Sequence, residues 1–276
     1  MKRLIRITAV LLIFCTLFLF SCEEQKKDKS HLDDDDAVAV NLNLDNESSA
    51  DTAEDIQPEN KKRVAITYDD GPHNIYTKRI VDELSKYGFH ATFFVIGNRV
   101  DGGEYNGSSA LRYAEENGHE IAIHGYTHTK YYNKCSDEEY DSEIKNTEKA
   151  IKNVIKDAEL YLMRPIGGAI TSERVQSSEY SVILWDVDSE DWKNKYSSSD
   201  SDEVAAQKVQ TIVDNVMNNV SDGSIILLHD IYESTYDATV LLLERLHAEG
   251  YEVVTVSELL GSNLCAGKTF SNAARS

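Results

Sequence analysis

The architecture turns on one stretch, Val64-Ala65-Ile66-Thr67-Tyr68-Asp69-Asp70-Gly71-Pro72. A short run of apolar and β-branched residues bounded by a turn signal reads as a buried strand. Two carboxylates stand directly after it, at the C-terminal end of that strand, where Gly71-Pro72 turns the chain sharply. Adjacent side chains at such a turn can serve different partners, one holding a cation while the other stays free. No Gly-x-Gly-x-x-Gly follows, and paired acids would repel a pyrophosphate, so a dinucleotide fold is disfavoured.

Outward from this strand, similar runs recur at Ala91 to Ile96, Glu120 to His124, Glu159 to Met163, Val182 to Val187, Ile225 to His229 and Glu252 to Val256. Between them lie segments of helical period: Tyr76 to Lys86, Asp137 to Lys156, Glu203 to Asn219 and Ala238 to Glu249, with Gly88, Gly118 and Gly250 placed as C-terminal stops. In the second of these, Tyr140, Ile144, Ala150, Ile151, Val154 and Ile155 mark a face that packs on a sheet. Strands alternating with crossover helices require parallel pairing and right-handed connections. Seven such units imply an α/β fold, an incomplete (β/α)7 barrel of parallel strands with outer helices.

The first residues have another character. Lys2, Arg3 and Arg6 precede an apolar run from Ile7 to Phe20, which ends in Ser21-Cys22. The run is too short to cross a bilayer and has the build of an export signal. Leu19-Phe20-Ser21-Cys22 resembles a bacterial lipoprotein box, which implies cleavage before Cys22, lipidation of its thiol and a chain anchored on the extracellular face of the cell membrane. The stretch Glu23 to Glu59 is acidic and nearly without aromatic residues, so it cannot bury enough apolar area to offset chain entropy and reads as a disordered tether. The expected division is therefore 1–21 signal, 22–61 tether, 62–262 folded domain and 263–276 tail. With a net charge of −20, the chain offers no surface for a nucleic acid backbone. No protein partner is implied. Of the four cysteines, Cys135 and Cys265 fall in the mature body, and no Cys-x-x-Cys pattern is present, so any metal must use histidine and carboxylate.

In a parallel barrel, functional groups gather at the C-terminal strand ends. Polar residues there are Asp69 and Asp70, His124 and His128, Arg164, then Asp186, Asp188 and Asp191, then His229 and Asp230. His124 and His128, four residues apart, can ligate one ion if Gly125-Tyr126-Thr127 forms a turn. Two histidines and one carboxylate leave coordination positions open, as in a catalytic rather than a structural site, and suit Zn²⁺, with Co²⁺, Ni²⁺ or Mn²⁺ able to replace it.

These residues, in order, resemble the five motifs of the polysaccharide deacetylases with a NodB-homology domain, carbohydrate esterase family 4, among them the peptidoglycan N-acetylglucosamine deacetylases. The motifs are Thr67-Tyr68-Asp69-Asp70-Gly71-Pro72, His124-Gly125-Tyr126-Thr127-His128, Arg164-Pro165-Ile166-Gly167-Gly168, Asp188-Ser189-Glu190-Asp191-Trp192 and Leu227-Leu228-His229-Asp230. The resemblance spans roughly Arg63 to Leu260. It implies that Asp70, His124 and His128 bind the metal, that Asp69 is the general base held by Arg164, and that His229 is the general acid tuned by Asp191. It also implies that Gly167, Trp192 and Leu227 line the groove for an N-acetylated polysaccharide, peptidoglycan being the nearest to an anchored enzyme. Three departures stand out: Gly167 replaces a bulky aromatic, which leaves a wider groove or one closed by Trp192, Leu227 and another loop; Tyr68 replaces phenylalanine; Gly125 replaces serine or threonine. Acetyl xylan, chitin oligosaccharides and a catalytically inactive carbohydrate-binding lipoprotein are the rival readings. His31, His73, His90, His119 and His247 are expected to be structural or solvated.

Overall fold

The computed structural model describes residues 61–103 and 105–273, so the expected signal, Cys22, His31 and nearly all of the tether lie outside the described residues. Among the described residues nine strands form one sheet: β1 Lys62–Asp69, β2 Thr92–Ile96, β3 Glu120–Gly125, β4 Leu162–Met163, β5 Ser181–Ile183, β6 Val187–Asp188, β7 Ile225–His229, β8 Tyr251–Val254 and β9 Thr269–Phe270. The helices are α1 Tyr76–Ser85, α2 Gly97–Val100, α3 Ser108–Glu116, α4 Asp137–Val154, α5 Ser172–Gln176, α6 Asp202–Met217, α7 Glu233–Ala248 and α8 Val256–Leu260. The sheet order is β6-β7-β1-β2-β3-β4-β5-β9, with β8 paired to the first half of β1, and every ladder is parallel. The sheet curls into the expected incomplete barrel with helices around it.

Period-two alternation sorts each strand between two environments. Ile66, Tyr68, Ile121, Ile123, Met163, Ile226 and Leu228 point outward into the large core shared with α1, α3, α4, α6 and α7. Ala65, Phe94, Ala122, Leu162, Ile183 and Ile225 form a smaller cluster inside the barrel, which Val256 and Leu260 of α8 plug. The plug is pinned at the strand starts, because Val256 N–H donates to Thr92 Oγ1 at 2.9 Å and Ser257 Oγ bonds the Glu120 carboxylate. On the same inward faces, one or two steps further along, come Thr67 and Asp69, His124, Arg164, and Leu227 and His229. The floor is thus apolar and the opposite mouth polar. This polarity along the barrel is what places the site.

Two expectations need correction. The run Val182 to Val187 is not one strand: β5 pairs with β4 and β9, whereas β6 pairs with β7 at the other end of the sheet order. Leu184-Trp185-Asp186 carries the chain across the split. Asp186 consequently does not join the mouth; its carboxylate accepts from Ile225 N–H at 2.7 Å and Ser224 Oγ at 3.1 Å, beside the start of β7. The stretch read as a tail, 263–276, supplies β9, and Asn272 bridges to Ser224 beyond it. The C-terminal residues therefore help to fill the split in the sheet.

Candidate metal centre and acid–base site

Asp69 ends β1 in extended conformation, while Asp70 has a left-handed backbone, φ +72°. The switch turns the two carboxylates in different directions. His128 is also left-handed, φ +59°, at the end of the Gly125-Tyr126-Thr127 turn. Aspartate and histidine tolerate this conformation better than most residues, but it still stores strain, which surrounding contacts must hold. Arg99 of α2 donates to the Asp70 carbonyl oxygen. Glu143 of α4, buried, accepts from Tyr126 N–H at 2.6 Å, Thr127 N–H at 2.8 Å and Thr127 Oγ1 at 2.6 Å, so one carboxylate fixes the loop that carries His128.

One ligand atom each from Asp70, His124 and His128 lies within 4.8 Å of the others. Asp70 Oδ1 is 3.0 Å from His128 Nε2 and 3.5 Å from His124 Nε2, yet it is buried with no hydrogen bond of acceptable geometry. His124 Nδ1 lies 2.8 Å from the Arg164 carbonyl oxygen, which can only accept, so Nδ1 carries the proton and Nε2 turns its lone pair to Asp70. Burial disfavours charge on both groups. It drives the His124 pKa down and holds that ring neutral, while for Asp70 the facing His128 outweighs burial and keeps the carboxyl below the ordinary carboxylate range. A carboxylate oxygen without a proton donor, beside a neutral imidazole nitrogen, fits a divalent cation. The N₂O donor set belongs to the Zn²⁺, Co²⁺, Ni²⁺ group.

Arg164 follows β4 and is fully buried. Its Nη1 donates to Asp69 Oδ1 and to Thr67 Oγ1, both at 2.7 Å, and Thr67 in turn donates to the Ile226 carbonyl at 2.6 Å. Nε and Nη2 donate to the carbonyls of Ile183 and Leu184 at 3.1 Å, where the chain leaves β5, and the guanidinium lies over the Phe94 ring at 4.1 Å. Asp69 keeps Oδ2 for other work, 3.6 Å from His124 Nε2. On the other flank, Asp191 is fully buried: Oδ1 lies 2.7 Å from His229 Nδ1, and Oδ2 accepts from His229 N–H and Thr235 Oγ1 at 2.7 Å. Burial opposes the imidazolium, but Asp191, joined by Asp69 and Asp70, outweighs it and raises His229 to about 9. Protonated at neutral pH, with Nδ1 committed to Asp191, the ring has Nε2–H left to donate.

The expected groove residues differ in exposure. Trp192 is 46% exposed, its backbone N–H donating to Asp191 Oδ1 at 2.8 Å. Leu227 is buried on the inward face of β7, one step below His229. Gly167 has φ +59° in the short turn after Arg164, and a side chain there would press on Tyr131 from the His128 loop. At Gly125, φ +120°, the space that a Cβ would take is filled by the Tyr132 hydroxyl and Glu143. Tyr68, the mild departure, places its hydroxyl 3.0 Å from Thr239 Oγ1 in the outer core. Asp188 accepts from Glu190 N–H at 2.8 Å, a turn role. Asp230 faces Thr77 instead of the ligands, and burial pushes its carboxyl up to about 7. His73 Nδ1 accepts from Ile75 and Tyr76 N–H, His119 is buried and held neutral, its pKa lowered to about 4, and His247 packs on Tyr87. Cys135 and Cys265 are free thiols.

Sequence reasoning missed Glu143, Thr67 and Thr235. Glu143 had a signal: it is an acid on the apolar face of α4, between Tyr140 and Thr147.

A family model described as "Polysaccharide deacetylase" matches residues 56–181. A peptidoglycan-N-acetylglucosamine deacetylase of Bacillus cereus is 36% identical over 211 residues, covering 74% of this chain and 90% of that protein. The chain belongs to the polysaccharide deacetylases. The peptidoglycan-N-acetylmuramic acid deacetylase PdaC of Bacillus subtilis is 38% identical over 200 residues, 72% of this chain and 39% of the relative, so the chain spans about two fifths of that protein's length. The solved structure of PdaC aligns with a TM-score of 0.64 and 37% identity, covering 72% of this chain and 90% of the solved one.

Proposed function

We propose that this deacetylase-family chain is a metal-dependent hydrolase that removes N-acetyl groups from a cell-wall polysaccharide, peptidoglycan GlcNAc or MurNAc. The observation that carries the reading is the convergence of Asp70, His124 and His128 between two committed pairs, Arg164–Asp69 and Asp191–His229. Zn²⁺, or Co²⁺, Ni²⁺ or Mn²⁺ in its place, held by those three residues supplies Lewis-acid chemistry, polarising the acetyl carbonyl and making water acidic enough to ionise near neutral pH. Asp69, with Oδ1 fixed by Arg164, takes the proton of the attacking water on Oδ2. The oxyanion that develops is met by the Gly167 backbone N–H. His229 donates its Nε2 proton to the departing amine, a poor leaving group otherwise, and Asp191 stabilises the imidazolium until that moment. Trp192 and Leu227 bound the acetyl-binding end of the groove.

The relatives named as peptidoglycan deacetylases support the substrate class, and the lipoprotein-like Leu19-Phe20-Ser21-Cys22 supports attachment through Cys22 to the outer face of the cell membrane, next to that polymer. Acetate release from purified peptidoglycan and from chitin oligosaccharides, with and without added Zn²⁺ and beside Asp69→Ala, tests the proposal. Zn²⁺-dependent release lost in the variant is the expected result. Release only from acetyl xylan would move the substrate to esters, and release from no substrate would leave a carbohydrate-binding protein.

A further inference from the structure

Tyr131 is an exposed ring on an otherwise fixed loop. It stands three residues after His128, with 52% of its surface open to solvent. Its neighbour Tyr132 does the folding work: fully buried, it packs edge-on against Tyr140 at 5.1 Å, sets its hydroxyl 3.3 Å from the His124 carbonyl and pairs with Ile170. Arg174 clamps the same segment through the carbonyls of Tyr132 and Cys135, at 2.6 and 2.9 Å, and the Asp137 carboxylate at 2.6 Å. The backbone under Tyr131 is therefore held, and its side chain alone is presented outward.

The edge of that ring leans over Gly167. A Cβ built on Gly167 would lie 3.1 Å from Tyr131 Cε1, closer than ordinary contact, and the left-handed φ of +59° already disfavours any side chain. Gly167 is three residues after Arg164, and Tyr131 three after His128, so the ring spans the two loops that carry the base-holding arginine and a ligand of the metal centre. Lys134 Nζ stands 5.8 Å from the ring centroid, and among the described residues no other aromatic ring packs on it. An aromatic ring held at the rim of a carbohydrate site has an apolar face to offer, and the C–H face of a pyranose is its natural complement. Tyrosine makes that contact with few rotatable bonds to freeze.

We propose that Tyr131 is the stacking wall of the glycan groove, receiving the apolar face of a pyranose ring, with Gly167 bare because a side chain there would crowd the ring; this rests on the glycan-deacetylase reading above. Tyr131 acts on binding rather than on the chemical step. The wall that Gly167 lacks is supplied from the loop of the second motif.

The test uses the intact chain with Zn²⁺, measuring kcat and KM for acetate release from chitin oligosaccharides of two to five sugars. Tyr131→Ala is expected to raise KM about fivefold or more with kcat within about twofold, and Tyr131→Phe to stay within about twofold of the parent, since the stacking face and not the hydroxyl is used. Gly167→Ala, which crowds the ring and strains the backbone that carries the oxyanion N–H, is expected to raise KM and lower kcat together, with its KM effect adding little on top of Tyr131→Ala. Unchanged KM in Tyr131→Ala, or a fall confined to kcat, would overturn the wall while leaving deacetylation intact. Affinity of the same oligosaccharides for chelator-treated protein, by calorimetry, separates the two readings. If the parent releases no acetate, a fivefold loss of affinity in Tyr131→Ala keeps the wall and removes the deacetylase, whereas no binding, or equal binding by both proteins, overturns the wall.

Discussion

Replacing Asp191 by asparagine should move the alkaline limit of activity. In the parent, His229 is raised to about 9 from an ordinary 6.5, because Asp191 at 2.7 Å, helped by Asp69 and Asp70, overcomes the burial that works against its charge. That difference corresponds to about 3 kcal/mol of preference for the imidazolium. A group that must donate a proton is active below its pKa, so kcat/KM falls as pH rises through it. A cation bound at Asp70 cancels part of the pull of that carboxylate and draws the limb below 9, but the Asp191 contribution, made through Nδ1, persists. In Asp191→Asn burial is left nearly unopposed, and the limb should fall to 6.5 or lower. The assay is kcat/KM for acetate release between pH 5.5 and 9.5. The same pair governs stability: a histidine whose folded pKa is raised contributes fully below 6.5 and loses that contribution as pH climbs through about 9. Urea titrations of the chelator-treated parent should therefore show stability falling across that window by about 3 kcal/mol at most, with a flatter profile in the variant. Coincident alkaline limbs in parent and Asp191→Asn would refute the reasoning.

Glu143→Ala frees the two N–H groups and the hydroxyl that pin the His128 loop, and should weaken Zn²⁺ binding by about 10- to 100-fold by calorimetry, as loss of an outer-shell support commonly does. Arg164→Met leaves the Asp69 carboxylate buried without its counter-charge, and should destabilise the fold by about 3–5 kcal/mol in urea titrations at neutral pH; a loss below about 1 kcal/mol would mean that Asp69 finds another partner. Cys22→Ser should shift the protein from the membrane to the soluble fraction of cells that export it, and an unchanged membrane fraction would show attachment by another route. Chelation should abolish acetate release, with recovery on adding Zn²⁺; activity that survives exhaustive chelation would contradict the role of the triad.

The strand pattern and the mouth of the barrel were legible because they rest on local signals, namely apolar runs of strand length and acids or histidines directly after them. What was not legible depends on partners distant in sequence. The run Val182 to Val187 carries a uniform strand signal, yet its halves pair with opposite ends of the sheet order, and only the β9 and β7 partners reveal the division. Asp186 looked like a strand-end acid for the same reason. Helix α7 begins at Glu233, five residues before the apolar period becomes visible, because its first turn, Glu233-Ser234-Thr235-Tyr236, is polar in sequence although Ser234, Thr235 and Tyr236 are buried. Residues 263–276 lack any apolar run long enough to announce a strand. The candidate ligands stand directly after strand runs and within motifs that the family resemblance picks out, whereas Thr235, which bonds Asp191 from 44 residues away, carries no such signal.

One guanidinium connects the carboxylate proposed as the base to the split in the sheet: Arg164 bonds Asp69 with one nitrogen and the carbonyls of Ile183 and Leu184 with the other two. Reactivity and closure of the barrel therefore cannot be varied separately. A substitution that altered the environment of Asp69 through this arginine would also loosen the place where the chain leaps from β5 to β6. New specificities would have to arise elsewhere, in rim segments that no such double duty constrains. Drift in those segments could change which sugar is admitted while the reacting centre stays as it is.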